Sequence, residues 1–367
     1  MLYTTPDYFD QFKCIAGECQ DTCCSGWQIV IDEEKLDEYK SGKYSGINMD
    51  EYVDFEEGVF RQSEDRRCAF LKDDNLCRLC AEHGEEALCR TCHLYPRHIE
   101  EFENVRETSL SLSCPEVSKM ILSRKERVSF NSTEDDAYEE YDDFDFVLYS
   151  SLLDARDAMI KFVQNRAIPI DERAGMILGL CHDMDKRLGD GRFHTIPDLI
   201  EYFSTSDSIQ KSYQKIEEFK NDKEKYFDFI QKKFGKLIKL EPIGYDWINL
   251  YTESEYLLYK DGSENYFEWT RRFEKQMKVN DVSIDVQLEQ LLVYFIFTYF
   301  CGAVYDGNIY GKGKLCVFGT YLIKELWKAA FIKNDGTLSE EEKWDIALRF
   351  SRELEHSDEN LLRIEKF

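Results

Sequence analysis

The 367-residue chain sets 47 basic residues against 73 acidic ones, a formal charge of −26, and is 43% hydrophobic and 14% aromatic. That apolar content excludes a chain disordered throughout, and the length predicts two domains or one large domain with an appendage. The charge disfavours DNA, RNA and anionic lipid as partners and favours exposed lysines.

Along the chain, Met1-Leu2-Tyr3-Thr4-Thr5-Pro6-Asp7 offers neither a basic nor an apolar leader segment. No export signal is expected, and the location is expected to be cytoplasmic. Ten of the thirteen cysteines lie in the first 114 residues, which at these spacings in a reducing compartment suggests metal ligands rather than disulfides. One group is Cys14-x4-Cys19-x3-Cys23-Cys24. The other is Cys68-x8-Cys77-x2-Cys80-x8-Cys89-x2-Cys92, closing with Cys114-Pro115. Gathered thiolates of this kind hold zinc or an iron–sulfur cluster. His93, beside Cys92, is a possible spare ligand. Cys181, Cys301 and Cys316 sit among apolar residues and read as core cysteines.

Between the cysteines the spacing predicts a short strand over Trp27–Ile31 and helices over Asp32–Lys40, Glu82–Cys92 and Glu116–Arg127. An acidic stretch, Glu134–Asp145, carries eight carboxylates and reads as a linker or an exposed helix start. From Phe146 the apolar period is near 3.6 almost everywhere. Asp171 is expected to cap a helix running to Leu188, and Thr195 before Pro197 marks another start. Stripes follow at Tyr226–Leu237 and Tyr266–Met277, with helices expected over Val286–Phe300, Val317–Ala330 and Glu341–Glu355. Leu291–Tyr305 is uncharged but short for a bilayer and broken by Gly302, so a buried core helix is expected, with no transmembrane segment. The fold class is therefore mainly α, a cysteine-rich N-terminal part with short strands or loops packed on a helical body. Its expected division is 1–130, an acidic linker at 131–145, and 146–367.

Several blocks together resemble the flagellin lysine-N-methylase family of bacteria. They are Cys14-Ile-Ala-Gly-Glu-Cys19 through Cys23-Cys24-Ser-Gly-Trp27, Cys68-Ala-Phe-Leu71 and Leu76-Cys77-Arg78. Then come Thr91-Cys92-His-Leu-Tyr95-Pro96-Arg97, Ser111-Leu-Ser113-Cys114-Pro115 and Ser351-Arg-Glu-Leu-Glu355-His356-Ser-Asp358-Glu-Asn360-Leu361. The resemblance implies S-adenosylmethionine-dependent methylation of flagellin lysines in a protein with a 4Fe–4S cluster. It points to Cys14, Cys19, Cys23, Cys24, Cys68, Cys77, Cys92 and Cys114 as ligands, with Cys80 and Cys89 at variable positions. Zinc is the alternative metal, and a metal-binding scaffold or electron-transfer protein is the alternative function.

The S-adenosylmethionine site is not visible in the sequence. Gly189-Asp190-Gly191 and Gly311-Lys312-Gly313 are followed by His194 and Cys316 where a third glycine belongs, and no Cys-x3-Cys-x2-Cys triplet occurs. Methylating an amine requires its deprotonated form and an in-line methyl donor. Glu353 and His356, three apart on an expected helix, are the candidate catalytic pair, with His356 as a possible base.

Overall fold

The computed structural model describes residues 1–19, 21–244, 246–278 and 282–367. It is 61% helical, a mainly α architecture. The first third holds β1 (Leu2–Pro6), α1 (Glu33–Lys40), β2 (Val53–Asp54), β3 (Val59–Phe60), α2 (Arg78–His83) and α3 (Arg90–Leu94). It continues with β4 (Arg97–Phe102), β5 (Val105–Leu110), α4 (Pro115–Leu122) and β6 (Phe130–Glu134). The helical body comprises α5 (Phe146–Val163), α6 (Ile170–Gly189), α7 (Ile196–Phe203), α8 (Ser206–Asn221), α9 (Lys223–Phe234) and α10 (Trp247–Tyr259). It ends with α11 (Gly262–Met277), α12 (Ile284–Tyr299), α13 (Ala303–Asp306), α14 (Ile309–Lys333), α15 (Glu340–Glu355) and α16 (Asp358–Glu365).

Local chemistry explains many of these boundaries. Asp32 caps α1 by accepting from the Lys35 backbone N–H, and Glu33 and Glu34 complement the helix dipole in its first turn. Ser339 and Glu342 form a reciprocal capping box at the start of α15, and Ser357 caps α16. Four expectations are corrected. Trp27–Ile31 is not a strand: Val30 makes one bridge to Val59, and its carbonyl accepts from Thr91 Oγ1 at 2.9 Å. The helix expected over Glu82–Cys92 is broken by Gly84 at φ +85°, a conformation glycine takes without a Cβ penalty. The helix after Pro115 stops at Leu122, whose carbonyl accepts from Gln287 Nε2 at 3.1 Å in place of a further helical turn. Asp171 lies inside the first turn of α6 rather than capping it, and accepts from Lys220 Nζ and Tyr321 OH, both at 2.7 Å.

A four-stranded sheet in the order β4-β5-β1-β6 was not foreshadowed. β1 runs parallel to β5, Leu2 opposite Val105, and antiparallel to β6, Leu2 opposite Glu134 and Pro6 opposite Phe130. The acidic stretch thus begins as an edge strand. Beyond it, Asp145 caps α5.

The cores separate unevenly. A small one gathers Ile29, Ile31, Tyr39, Met49, Val53, Phe60, Phe70, Leu79 and Cys89 from residues 29–92. The large one joins the helical body to the sheet and α4, through Tyr8, Phe102, Leu110, Leu112 and Val117. Its axis is α12, buried on every side from Gln287 to Tyr299. The stretch Ile284–Asp306 is long and apolar enough to cross a membrane, yet 83% of its apolar window is buried inside the protein. Against α12 and α6 lies α14, and a Cβ on Gly313 would meet Cys181 Sγ at 2.6 Å, so glycine sets that helix separation. Cys181, Cys301 and Cys316 are buried in this core.

Candidate functional site

Loops between short elements in residues 12–29 and 75–96, together with the start of α4, enclose a cavity of about 370 Å³. Eight thiols line it: Cys14, Cys19, Cys23, Cys24, Cys77, Cys80, Cys92 and Cys114. Seven of the eight cysteines singled out by sequence are among them. Cys68 is buried in the small core instead, and Cys80, at a position regarded as variable, takes a place on the wall. Cys89 is buried beside Cys92, and His93 is not a lining residue.

All thirteen cysteines are free thiols. Burial pushes Cys68 up to about 12 and Cys77 and Cys114 up to about 11. Cys24 is instead held down to about 7 by a hydrogen bond from Cys23, with Thr22 and Arg67 assisting, and a hydrogen bond from Cys92 likewise lowers Cys89. Among the described residues, no three His, Cys, Asp or Glu side chains converge closely enough to hold a single ion. The eight thiols around this cavity are twice the four that either a zinc ion or a 4Fe–4S cluster takes. In donor type the residues therefore fit an iron–sulfur cluster or zinc.

Three of the quoted sequence blocks meet at one edge of this cavity. Arg352 of α15 donates from Nε to the Ser113 carbonyl at 3.1 Å and from Nη2 to the Asp21 carbonyl at 2.8 Å, while Nη1 pairs with the Asp21 carboxylate. One guanidinium thus grips the loop between Cys19 and Cys23 and the segment leading into Cys114. Glu355 accepts from Ser111, from Tyr294 OH at 2.5 Å and from Ser351 Oγ at 2.6 Å. Ser111 and Ser113 are hydrogen-bonded, and Tyr95 OH, on the cavity wall, lies 3.0 Å from Ser113 Oγ. The C-terminal block is therefore the helical body's grip on the cysteine loops.

Beyond this joint lies a second pocket, of about 360 Å³. One face of α15 supplies Asp345, Arg349, Arg352, Glu353 and, just after the helix, His356; Asp21, Trp27, Gly244, Asp246 and Trp247 face them. Trp27 separates the two spaces. Its Nε1 donates to the Cys23 carbonyl at 2.7 Å, and its ring lies 4.2 Å from His356 and 5.9 Å from Tyr95.

Glu353 is 2% exposed and accepts from the backbone N–H groups of Ile243 at 2.7 Å and Gly244 at 2.5 Å. A Cβ on Gly244 would stand 2.8 Å from that carboxylate, so glycine permits the approach. Burial pushes the Glu353 carboxyl up to about 7, against the opposing effect of the two N–H donors. Burial, helped by Arg352, pushes His356 down to about 3, so the imidazole is neutral.

The structure thus brings Glu353 and His356 into one pocket and places it against the thiol cavity. Trp27, Tyr95, Asp21, Asp246, Asp345, Arg349 and Arg352 were missed by sequence reasoning. A signal existed for several: Trp27, Tyr95 and Arg352 stand inside the quoted blocks. Asp345, Arg349, Arg352, Glu353 and His356 also recur at helical spacing as a polar stripe.

The family model for the FliB lysine N-methylase C-terminal domain matches residues 156–367. The lysine-N-methylases of Salmonella choleraesuis (strain SC-B67) and Salmonella typhimurium are each 32% identical over 128 residues, covering 32% of this chain and 32% of theirs. The chain thus matches about a third of the length of these curated relatives. The flagellar biosynthetic protein FliU of Salmonella muenchen is 32% identical over 128 residues, 32% of this chain and 76% of that one. No solved structure matches. With more than half its length matched by the family model, the chain belongs to the FliB lysine N-methylase family.

Proposed function

We propose that the chain is a protein-lysine N-methyltransferase that uses S-adenosylmethionine to methylate flagellin, with a 4Fe–4S cluster held by the cavity thiols. The observation that carries the reading is the meeting of the sequence blocks on which the family resemblance rests around two adjoining spaces, one thiol-lined and one polar. In the reaction the amine lone pair forms a bond to the methyl carbon. The carbon–sulfur bond breaks with its pair going to sulfur, and one proton leaves nitrogen. Glu353, poised at about 7, is the group suited to take that proton. His356, neutral and packed on Trp27, is too weakly basic for that task and shapes the wall.

A bound cluster would tie together the segments carrying Cys14–Cys24, Cys77–Cys80, Cys92 and Cys114 and supply folding energy there. Flagellin as substrate is supported by the flagellar name of the FliU relative and by a charge of −26 that attracts lysine-bearing surfaces. Such steering acts mainly on encounter rate and weakens with salt. In the acidic stretch, Asp135 pairs with the Met1 ammonium and Glu139 with Arg106, while Asp136, Glu140, Asp142 and Asp143 face solvent.

The test is methyl transfer from S-adenosylmethionine by anaerobically purified protein, followed by mass spectrometry of flagellin and of an unrelated lysine-rich protein. Flagellin lysines should gain methyl groups, and Glu353→Gln should lose roughly 10²-fold or more in rate. No transfer to either protein would overturn the methyltransferase reading, and equal transfer to both would overturn flagellin specificity.

A further inference from the structure

The polar pocket carries a charge excess that its own residues leave unanswered. Four carboxylates, Asp21, Asp246, Asp345 and Glu353, line it with two guanidinium groups, Arg349 and Arg352. Arg352 is engaged with Asp21 and two carbonyls. Arg349 serves two carboxylates at once, Asp246 at 2.7 Å and Asp345 at 3.0 Å. Glu353 accepts from backbone N–H groups and feels the charge of nearby Arg66, which itself donates to the Ile243 carbonyl. Like-charge proximity shows in Asp345, whose carboxyl burial pushes up, with Asp21 and Asp246 adding to the rise.

The second observation is independent of charge. Trp247, another lining residue, is 1% exposed, and its indole Nε1–H finds no acceptor among the described residues. A buried donor of this kind is costly unless a ligand or water accepts from it. Trp27 and His356 add flat aromatic faces to the wall, the surface on which an organic cation is attracted.

We infer that the polar pocket is a binding site for an organic monocation that also presents a hydrogen-bond acceptor, the positive charge meeting Glu353, Asp246 and Asp345 and the acceptor meeting Trp247. Two cations of the proposed reaction have this chemistry, the ammonium of a peptide lysine and the sulfonium of S-adenosylmethionine, and their choice as probes rests on the methyltransferase reading. The thiol-lined cavity is mostly apolar and counts one carboxylate, Glu116, on its wall against the four of the polar pocket.

Calorimetry on the full chain decides the matter, using each cation and a twin that lacks only the charge in question. The pairs are a lysine-bearing flagellin peptide with its norleucine version, and S-adenosylmethionine with S-adenosylhomocysteine. At least one charged probe should bind about 10-fold or more tighter than its twin, and Asp246→Asn and Asp345→Asn should each reduce that preference severalfold. Trp247→Phe should weaken charged and neutral probes alike. The peptide arm alone responding would place the substrate amine here, and the sulfonium arm alone would place the methyl donor; either supports the site. Both substituted aspartates are only partly buried, and unchanged circular dichroism and melting confirm that the variants are folded. No binding by either cation, or equal binding of charged and neutral twins, would overturn the inference. If charge-selective binding persists while no flagellin lysine is methylated, the site stands and the methyltransferase reading falls.

Discussion

The two cores of this protein differ in how much apolar burial each has to rest on. The helical body surrounds α12, whose every residue from Gln287 to Tyr299 is buried, and burial at about 25 cal/mol per Å² accounts for such a core by itself. The region 29–92 has a short roster of buried apolar residues, helices of eight residues or fewer, and residues such as Arg66 and Asn75 at positive φ. Isolated segments this short do not hold their shape in water. The lesson is that seven of the eight cavity thiols lie within or just before the part of the chain with the least hydrophobic burial, where a bound metal group would contribute most.

The sharpest way to break this contrast is through the metal. Anaerobically purified protein should contain iron and sulfide, and Cys24→Ala or Cys92→Ala should abolish both. Limited proteolysis of those variants should cut within residues 13–94 while the helical body survives. Stoichiometric zinc without iron would reject the cluster and leave the thiolate site, whereas intact protection without metal would reject the contrast itself.

Within the body, Phe295→Ala removes a fully buried ring packed against Gly319 and should cost about 3–5 kcal/mol in urea unfolding. A loss below about 1 kcal/mol would show that the body does not rest on α12.

A smaller effect comes from Glu353 at the joint between the regions. Its carboxyl is raised from 4.5 to about 7, so the folded state holds a proton that the unfolded chain releases in this window. Stability is therefore fully present below pH 4.5 and falls as pH rises to about 7, a slope that Glu353→Gln should flatten in melts taken across that range. Activity should move the other way, rising through about pH 7 as the carboxylate forms. The smallest expected change is Ser339→Ala, which removes the capping box of α15 and should cost about 1 kcal/mol without altering metal content.

The sequence by itself determined the helices of the body, the clustering of thiols and the short step from Glu353 to His356. Each is encoded within a few residues: a 3.6-residue apolar period, a Cys-x2-Cys spacing, a three-residue step across the end of α15. It did not disclose the sheet, because β1 finds β5 and β6 more than a hundred residues away and Arg97–Phe102 carries too many charges to read as a strand. Nor did it separate the lining thiols from Cys68, which spacing treats alike and packing does not. Only the tertiary structure brought Asp246 and Trp247 to the polar stripe of α15 and set Trp27 between the two spaces. Contacts of that kind depend on which faces bury together, a property of the whole core that no local pattern contains.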